Sequence, residues 1–341
     1  MRITQSDIAR RANVSISTVS RVLNNHPYVD ERTRALIQQT AAELRYPIEH
    51  LRGAPKQAED TSADDMILLL HRSNYYLGKN TKPTGTDFEI IQGIYSVLSD
   101  LGLEPYLYHT QRTDVEKKDV ELPRVPFRGM IVVGGIQSEA FIDVLCQQNK
   151  PFVMAGAHIL PRQANCVMVD SLHGIQALVE HLVERGRRRI GMVGGPSTTS
   201  TSAEKYKAYR LGLAVHNLPY TPDQFISADF DAESAYQQTF TLLKRKPELD
   251  AIIYATDDTA IGGMRAIMET GRKVPDDIAV TGFNNYDNAR FANPSLTTVE
   301  SNMRMVGVLA AERLCQLLEN PHDHRTWLSL VPSSIVIRES T

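Results

Sequence analysis

The N-terminal fold is set by residues 3–46, which read ITQSDIARRANVSISTVSRVLNNHPYVDERTRALIQQTAAELRY. Apolar residues recur there three and four positions apart in three runs, which predicts three short helices. Thr4, Ser15 and Asp30 stand at the starts of these runs, where short polar side chains cap helices. The residues expected to face inward are Ile8, Ala9, Ala12, Val19, Val22, Leu23, Ile37, Ala41 and Leu44.

The first two predicted helices are joined by a tight turn at Asn13-Val14. This spacing is typical of a helix-turn-helix, whose second helix enters the major groove of DNA with its N-terminal end. We expect Ile16 and Ser17 to face base edges, and Arg21 to reach a guanine or a phosphate. The alternative is that these residues belong to a small helical bundle with ordinary caps. The remaining candidates for DNA contact are mostly short polar side chains that can bond phosphates: Thr4, Ser15, Thr18, Ser20, Asn24, Tyr28 and Thr33.

A change of pattern divides the chain after residue 50. Residues 51–65 contain charges, a proline and hardly any large apolar residues, and they are predicted to form a linker. Beyond them, apolar runs alternate with longer amphipathic stretches, which predicts parallel β-sheets covered by helices on both faces. The predicted strands are 66–70, 104–108, 129–133, 151–155, 189–193, 250–254 and 278–282; the predicted helices are 87–101, 171–186, 201–215, 231–245, 258–269 and 302–318. So many strands favour two doubly wound lobes over a single sheet.

Charge distribution, cysteine spacing and the length of apolar runs limit the classes of protein to which the chain can belong. Residues 1–52 carry a net charge of +3 and the remaining 289 residues carry −6, so a polyanionic partner suits only the N-terminal end. The three cysteines are far apart and without metal-ligand spacing, which favours a reducing cytoplasm over a disulfide framework. We find neither a signal-peptide pattern nor an apolar run long enough to cross a membrane, and we predict no metal or cofactor.

Enzymatic motifs are not found in the sequence. Gly194-Gly195-Pro196 lacks the pattern of a triphosphate-binding loop, and no serine stands in a GxSxG turn. Asp257-Asp258 precedes a predicted helix, where carboxylates commonly act as caps. We therefore predict no catalytic residues.

Residues 3–46 resemble, without a gap, the headpiece of the lactose/galactose repressor (LacI/GalR) family. The similarity continues through VMVDSLHGIQALVEHLVERGRRRIGMVGGP, DAIIYATDDTAIGGMRAI, IAVTGFNN and PSLTTVESNMRMVG. It implies a helix-turn-helix headpiece (1–50), a hinge (51–65) and a periplasmic-binding-protein-like sensor. The sensor's first lobe would hold 66–160 and 303–326, and its second lobe 161–302 and 327–341, with two crossovers, one at Phe283–Ser301. The resemblance also implies a homodimer on a pseudo-palindromic operator, which the absence of a heptad tail before Thr341 favours over a tetramer.

The hinge departs from the family. Its members wedge a leucine into the minor groove, and Leu51 is the one candidate here, in a hinge that is shorter than usual. The alternative is a linker in which Leu51 is merely exposed.

The ligand of the sensor is expected between the lobes, beyond the carboxyl ends of the strands. Strand ends supply His71, Gly135, Gly156, Thr201, Thr256, Asp257 and Asn284, and the resemblance adds Phe88, Lys205, Phe230 and Ser301. The family usually has arginine at position 205 and aspartate at 284, so Lys205 and Asn284 indicate an unusual carbohydrate effector. Alternatively, Phe88 and Phe230 belong to the core and Asp257 only caps a helix.

The sequence thus predicts a cytoplasmic DNA-binding repressor controlled by a small effector. A sugar-binding receptor or a sugar-processing enzyme built on the same two lobes is the alternative.

Overall fold

The computed structural model describes residues 5–12, 14, 15, 18, 19, 22, 31–44, 66–72, 85–110, 122–123, 125–134, 139–158, 164–197 and 199–341. The chain divides into two compact units, residues 1–62 and 63–341. The division falls inside the predicted linker, and each unit is described by itself.

The first unit contains α1 (Gln5–Ala12) and α2 (Glu31–Glu43), and Thr18, Val19 and Val22 are also helical. Its core consists of seven of the nine residues expected to face inward: Ile8, Ala9, Ala12, Val19, Val22, Ile37 and Ala41. Leu44 packs against this core, and Leu23 lies outside the described residues. The predicted cap at Ser15 is confirmed, because its Oγ accepts the Thr18 N–H at 3.0 Å. The caps predicted at Thr4 and Asp30 lie outside the described residues.

The second unit contains two parallel sheets flanked by helices. The first sheet has the order β11-β5-β4-β3-β1-β2, and the second has the order β7-β6-β8-β9 with a β10-β12 pair beside it. The strands are β1 (Met66–Arg72), β2 (Glu104–Thr110), β3 (Gly129–Val133), β4 (Phe152–Ala155), β5 (Asn165–Val169), β6 (Ile190–Gly194), β7 (Phe225–Ser227), β8 (Ala251–Tyr254), β9 (Ala279–Thr281), β10 (Thr298–Glu300), β11 (Leu328–Val331) and β12 (Ser334–Val336). All seven predicted strands are confirmed.

The helices of this unit fill both faces of the sheets. They are α3 (Gly85–Asp100), α4 (Glu139–Gln147), α5 (Ser171–Glu184), α6 (Ser200–Val215), α7 (Ala232–Arg245), α8 (Asp257–Glu269), α9 (Asp287–Phe291) and α10 (Met303–Glu319). The six predicted helices are confirmed to within two residues at each end. Helices α3 and α10 pack unusually closely, since a Cβ at Gly307 would lie 2.0 Å from the Ile90 carbonyl oxygen.

The predicted lobe boundaries are wrong at two segments. Strand β5 pairs with β4, and β11 pairs with β5, so both belong to the first lobe, although 161–302 and 327–341 were assigned to the second. The described chain crosses between the lobes after Val169, after Glu300 and after Val331, and these are the three crossings that four alternating segments require. Hydrogen bonds tie the first and third crossings together: the Ser333 hydroxyl donates to the Asp170 carbonyl at 2.7 Å.

Candidate functional site

The second lobe holds a cluster of four buried polar residues at the carboxyl ends of its strands, called the pocket here: Lys205, Asp257, Asn284 and Ser301. Lys205 Nζ donates to the Ala255 carbonyl at 2.7 Å and lies 3.8 Å from the centre of the Phe283 ring, at the carboxyl ends of β8 and β9. Only 6% of Lys205 is exposed. Burial lowers the pKa of the ammonium to about 7, although the charges of Asp257 and Glu204 oppose this effect. Burial thus favours the neutral amine at Lys205 more than at an exposed lysine.

Asp257 lies at the same edge of the sheet, shortly after β8, and is fully buried. Its Oδ1 accepts the Thr298 hydroxyl at 2.5 Å, and its Oδ2 accepts the Tyr286 backbone N–H at 2.7 Å. Burial raises the pKa of this carboxyl to about 7 in spite of these two hydrogen bonds. The helix is capped by Thr256 instead, whose Oγ1 accepts the Thr259 N–H, so the alternative that Asp257 only caps α8 is wrong.

Asn284 and Ser301 provide polar atoms that the rest of the pocket leaves unused. Asn284 has a φ of 109°, a backbone conformation that asparagine adopts more readily than most residues, and its N–H donates to the Val299 carbonyl at 2.8 Å. Asn284 Oδ1 and Ser301 Oγ are both buried and have no hydrogen-bond partner among the described residues. A buried polar atom without a partner costs about 1–3 kcal/mol, which a ligand hydroxyl can recover.

The other predicted residues of the second lobe lie around this pocket. Thr201 stands one turn before Lys205 on the same face of α6. Phe230 is partly buried and packs on Gly195, because a Cβ there would lie 2.3 Å from its ring. Part of the Phe230 side chain therefore belongs to the core, as the alternative interpretation expected.

The first lobe presents a different set of predicted residues. His71 ends β1 and is buried, with Nε2 3.3 Å from Asp87 Oδ2. Phe88 follows on α3 and is 57% exposed, so the interpretation of Phe88 as core is wrong. Gly156 follows β4 with a φ of 86°. Gly135 lies outside the described residues.

Four residues that the sequence did not single out connect the lobes in two contacts. His158 Nδ1 of the first lobe lies 3.2 Å from Glu204 Oε1 on α6. Tyr286 of the second lobe contacts Thr86 at the start of α3 through its hydroxyl. The one signal that pointed to Tyr286 is its place directly after the predicted strand end at Phe283–Asn285. Both contacts depend on how the lobes face each other, which the sequence does not encode locally.

Few of the predicted DNA contacts fall in the described part of the first unit. Ser15 is exposed, and Thr18 and Thr33 are partly exposed. The Oγ of Ser15 is 2.7 Å from the Thr18 hydroxyl, so its side chain is engaged in the cap. Thr4, Ile16, Ser17, Ser20, Arg21, Asn24, Tyr28 and Leu51 lie outside the described residues.

Among the described residues, no group of three or more His, Cys, Asp or Glu side chains is arranged to hold a metal ion. Within the same residues, no helix combines the length and apolar character needed to cross a bilayer.

A helical DNA-binding unit attached to a two-lobed sensor defines the chain as a ligand-controlled regulator, and family comparisons agree. Residues 4–47 match the bacterial regulatory proteins of the lacI family, and residues 179–341 match the periplasmic binding protein-like domain. The chain belongs to the LacI family of DNA-binding transcription regulators.

Its relatives are regulators rather than enzymes. The chain is 28% identical to the probable HTH-type transcriptional repressor ExuR of Bacillus subtilis (strain 168), over 94% of this chain and 92% of the relative. It is 27% identical to the ribose operon repressor of Halalkalibacterium halodurans, over 99% and 97% of the two chains.

Solved structures share the fold over the whole chain. The Lac repressor dimer bound to operator and the anti-inducer ONPF has a TM-score of 0.72 and 25% identity, covering 100% of this chain and 99% of that one. The complex of the transcriptional regulator CelR with cellobiose has a TM-score of 0.73 and 24% identity, with full coverage of both chains.

Proposed function

We propose that this regulator is a cytoplasmic repressor that binds a pseudo-palindromic operator as a homodimer. A small carbohydrate that binds between the lobes weakens or strengthens its binding to the operator. The observation that carries the effector half of the proposal is the pocket itself. The pocket residues offer donors and acceptors, and two of their polar atoms, Asn284 Oδ1 and Ser301 Oγ, have no partner among the described residues. Adjacent hydroxyls of a sugar match such a set.

The homodimer in the proposal is supported by the first lobe. Strand β2 is an edge of its sheet, and large apolar side chains are exposed along it and along α3: Phe88, Tyr95, Leu101, Tyr106 and Leu107. Exposed apolar surface beside an open sheet edge favours association. The related Lac repressor structure is a dimer on operator DNA. A two-fold protein reads a two-fold DNA site.

The DNA-binding half rests on the headpiece. The predicted contacts are Thr4, Ser15, Ile16, Ser17, Thr18, Ser20, Arg21, Asn24, Tyr28, Thr33 and Leu51. Arg21 is the side chain with the longest reach and the one we expect to read a base, because an arginine fork matches guanine O6 and N7.

Random-site selection with the purified full chain tests the proposal. The enriched duplex should be palindromic, and its affinity should shift when one compound of a panel of neutral, acidic and amino sugars is added. Arg21→Ala should abolish the sequence preference, whereas Arg265→Ala, a surface arginine of the second lobe, should not change it. Lys205→Met should keep DNA binding and lose the response to the sugar.

The experiment can contradict the operator assignment and the carbohydrate assignment separately. If no sequence is enriched over competitor DNA, the operator assignment is wrong. If the selected duplex binds but no sugar shifts its affinity, the carbohydrate assignment is wrong and the operator assignment stands.

A further inference from the structure

Tyr286 spans the cleft between the two lobes. Its backbone N–H donates to Asp257 Oδ2 at 2.7 Å, inside the second lobe. Its hydroxyl contacts the Thr86 hydroxyl, and its ring edge lies 3.4 Å from the position that a Cβ at Gly85 would take, at the start of α3 in the first lobe. One residue therefore contacts the pocket carboxylate at one end and the opposite lobe at the other.

We propose that Tyr286 is a positioning residue, which holds the lobes closed through Thr86 and connects the state of Asp257 to helix α3. The connection is direct, because the N–H that Asp257 accepts belongs to the same residue whose side chain meets Thr86. A ligand that contacts Asp257 acts on this hydrogen bond. Ligand binding and closure then favour each other by the same factor, as linkage requires.

Acidic side chains surround this contact on both lobes. Asp87 and Glu89 on α3 and Asp257 and Asp258 on α8 act electrostatically on the Tyr286 hydroxyl. Burial, followed by Glu300 on β10 and Asp287 on α9, raises the pKa of Glu89. Like charges brought together oppose closure, and more strongly at low ionic strength.

The Tyr286 hydroxyl is suited to oppose this repulsion because it is uncharged. Burial raises its pKa well above the usual value, and Asp258, Asp257, Asp87 and Glu89 add to the effect. It therefore stays protonated among carboxylates and forms a neutral hydrogen bond. The second contact between the lobes, His158 with Glu204, lies on α6 and is a separate one.

The test compares the full-length protein with Tyr286→Phe, Thr86→Val and the double variant. Hydrogen–deuterium exchange is followed in peptides covering 85–92 and 284–288, and small-angle X-ray scattering reports the radius of gyration. Each single variant should raise exchange in both peptides about fivefold at about 20 mM salt, the factor expected for one neutral hydrogen bond. The double variant should add nothing to either one, and exchange in both peptides should fall in the parent and in every variant at about 300 mM salt, because screening weakens the repulsion between the lobes.

Two matched variants separate closure from general stability. Tyr236→Phe removes a hydroxyl that bonds Glu269 within the second lobe, and it should leave both peptides unchanged. Thr86→Ser keeps the hydroxyl and should behave like the parent protein. The proposal is overturned if Tyr286→Phe matches Tyr236→Phe, if the two single effects add, or if the peptide covering 85–92 does not respond. None of these measurements uses DNA or a sugar, so their outcome is independent of the proposed function.

Discussion

Replacement of Asp257 by asparagine should make the protein more stable at pH 8 than the parent. The parent carboxyl has a pKa of about 7 in the folded chain, against 3.8 for an ordinary aspartate, because it is buried. A carboxyl whose pKa is raised by folding makes its full contribution to stability at pH values below the pKa that it has in the unfolded chain. This contribution is lost as the pH rises from that value to the pKa in the folded chain. The penalty therefore grows between about pH 4 and pH 7 and amounts to about 4 kcal/mol, at about 1.4 kcal/mol for each tenfold change.

Asparagine imitates the protonated acid and does not titrate. Its amide oxygen can accept the Tyr286 N–H, and its NH2 group can donate to the Thr298 hydroxyl, so both partners of Asp257 remain satisfied. Between pH 5 and pH 8, the free energy of unfolding of Asp257→Asn should therefore rise relative to the parent by up to about 3 kcal/mol.

Urea unfolding at these two pH values, followed by circular dichroism, measures this difference. Glu269→Gln is the control, and its difference from the parent should not change between these two pH values. Hydrogen bonds from Tyr236 and Arg265 lower the pKa of the exposed Glu269 carboxyl below its ordinary 4.5, so its contribution to stability is already complete at pH 5. If the difference between Asp257→Asn and the parent is the same at pH 5 and pH 8, the carboxyl is ionised in the fold at both, and our reasoning about its burial is refuted.

Three further substitutions follow from the packing. Gly307→Ala places a methyl group 2.0 Å from the Ile90 carbonyl oxygen and should lower the free energy of unfolding by about 1–3 kcal/mol, measured by urea unfolding; an unchanged midpoint would show that α3 and α10 can separate. Ser301→Ala removes a buried hydroxyl without a described partner, so calorimetry should show an unchanged or higher melting temperature while the affinity for the effector falls about tenfold. Ser15→Ala removes the acceptor of the Thr18 N–H and should destabilise the headpiece by about 1 kcal/mol, visible as weaker operator binding in fluorescence anisotropy; equal binding would place the cap elsewhere.

Local sequence patterns predicted most elements because the elements themselves are local. Strands such as Gly129–Val133 are buried on both faces and appear as continuous apolar runs. Five strands were not predicted: β5 and β11, and the three-residue strands β7, β10 and β12. Strand β11 pairs with β5 across about 160 positions of sequence, and no local pattern specifies such a partner. The lobe boundaries were misplaced for this reason.

The pocket shows the same contrast between positions that a local pattern predicts and contacts between residues that are distant in the sequence. Thr256, Asp257 and Asn284 follow strands, so the rule for the carboxyl ends of parallel sheets finds them. Their chemistry was not predictable, because the pKa of Asp257 depends on burial by residues from β9, β10 and the Asn285-Tyr286 segment. His158 and Tyr286 act between lobes, and their partners lie 46 and 200 positions away. Sequence spacing carries no information about such pairs.

Asp257 and Tyr286 together explain how a change in the pocket can reach the first lobe. Ionised Asp257 accepts a stronger, charge-assisted hydrogen bond from the Tyr286 N–H than the neutral acid does. Lys205 has a pKa near the same value, so a ligand that fixes the proton on either group also sets the strength of that bond. Tyr286 then presents its ring and hydroxyl to Gly85 and Thr86, where α3 begins. Tyr286 therefore links the pocket carboxyl to the start of α3, the helix that also carries exposed Tyr95 on the surface proposed for the dimer.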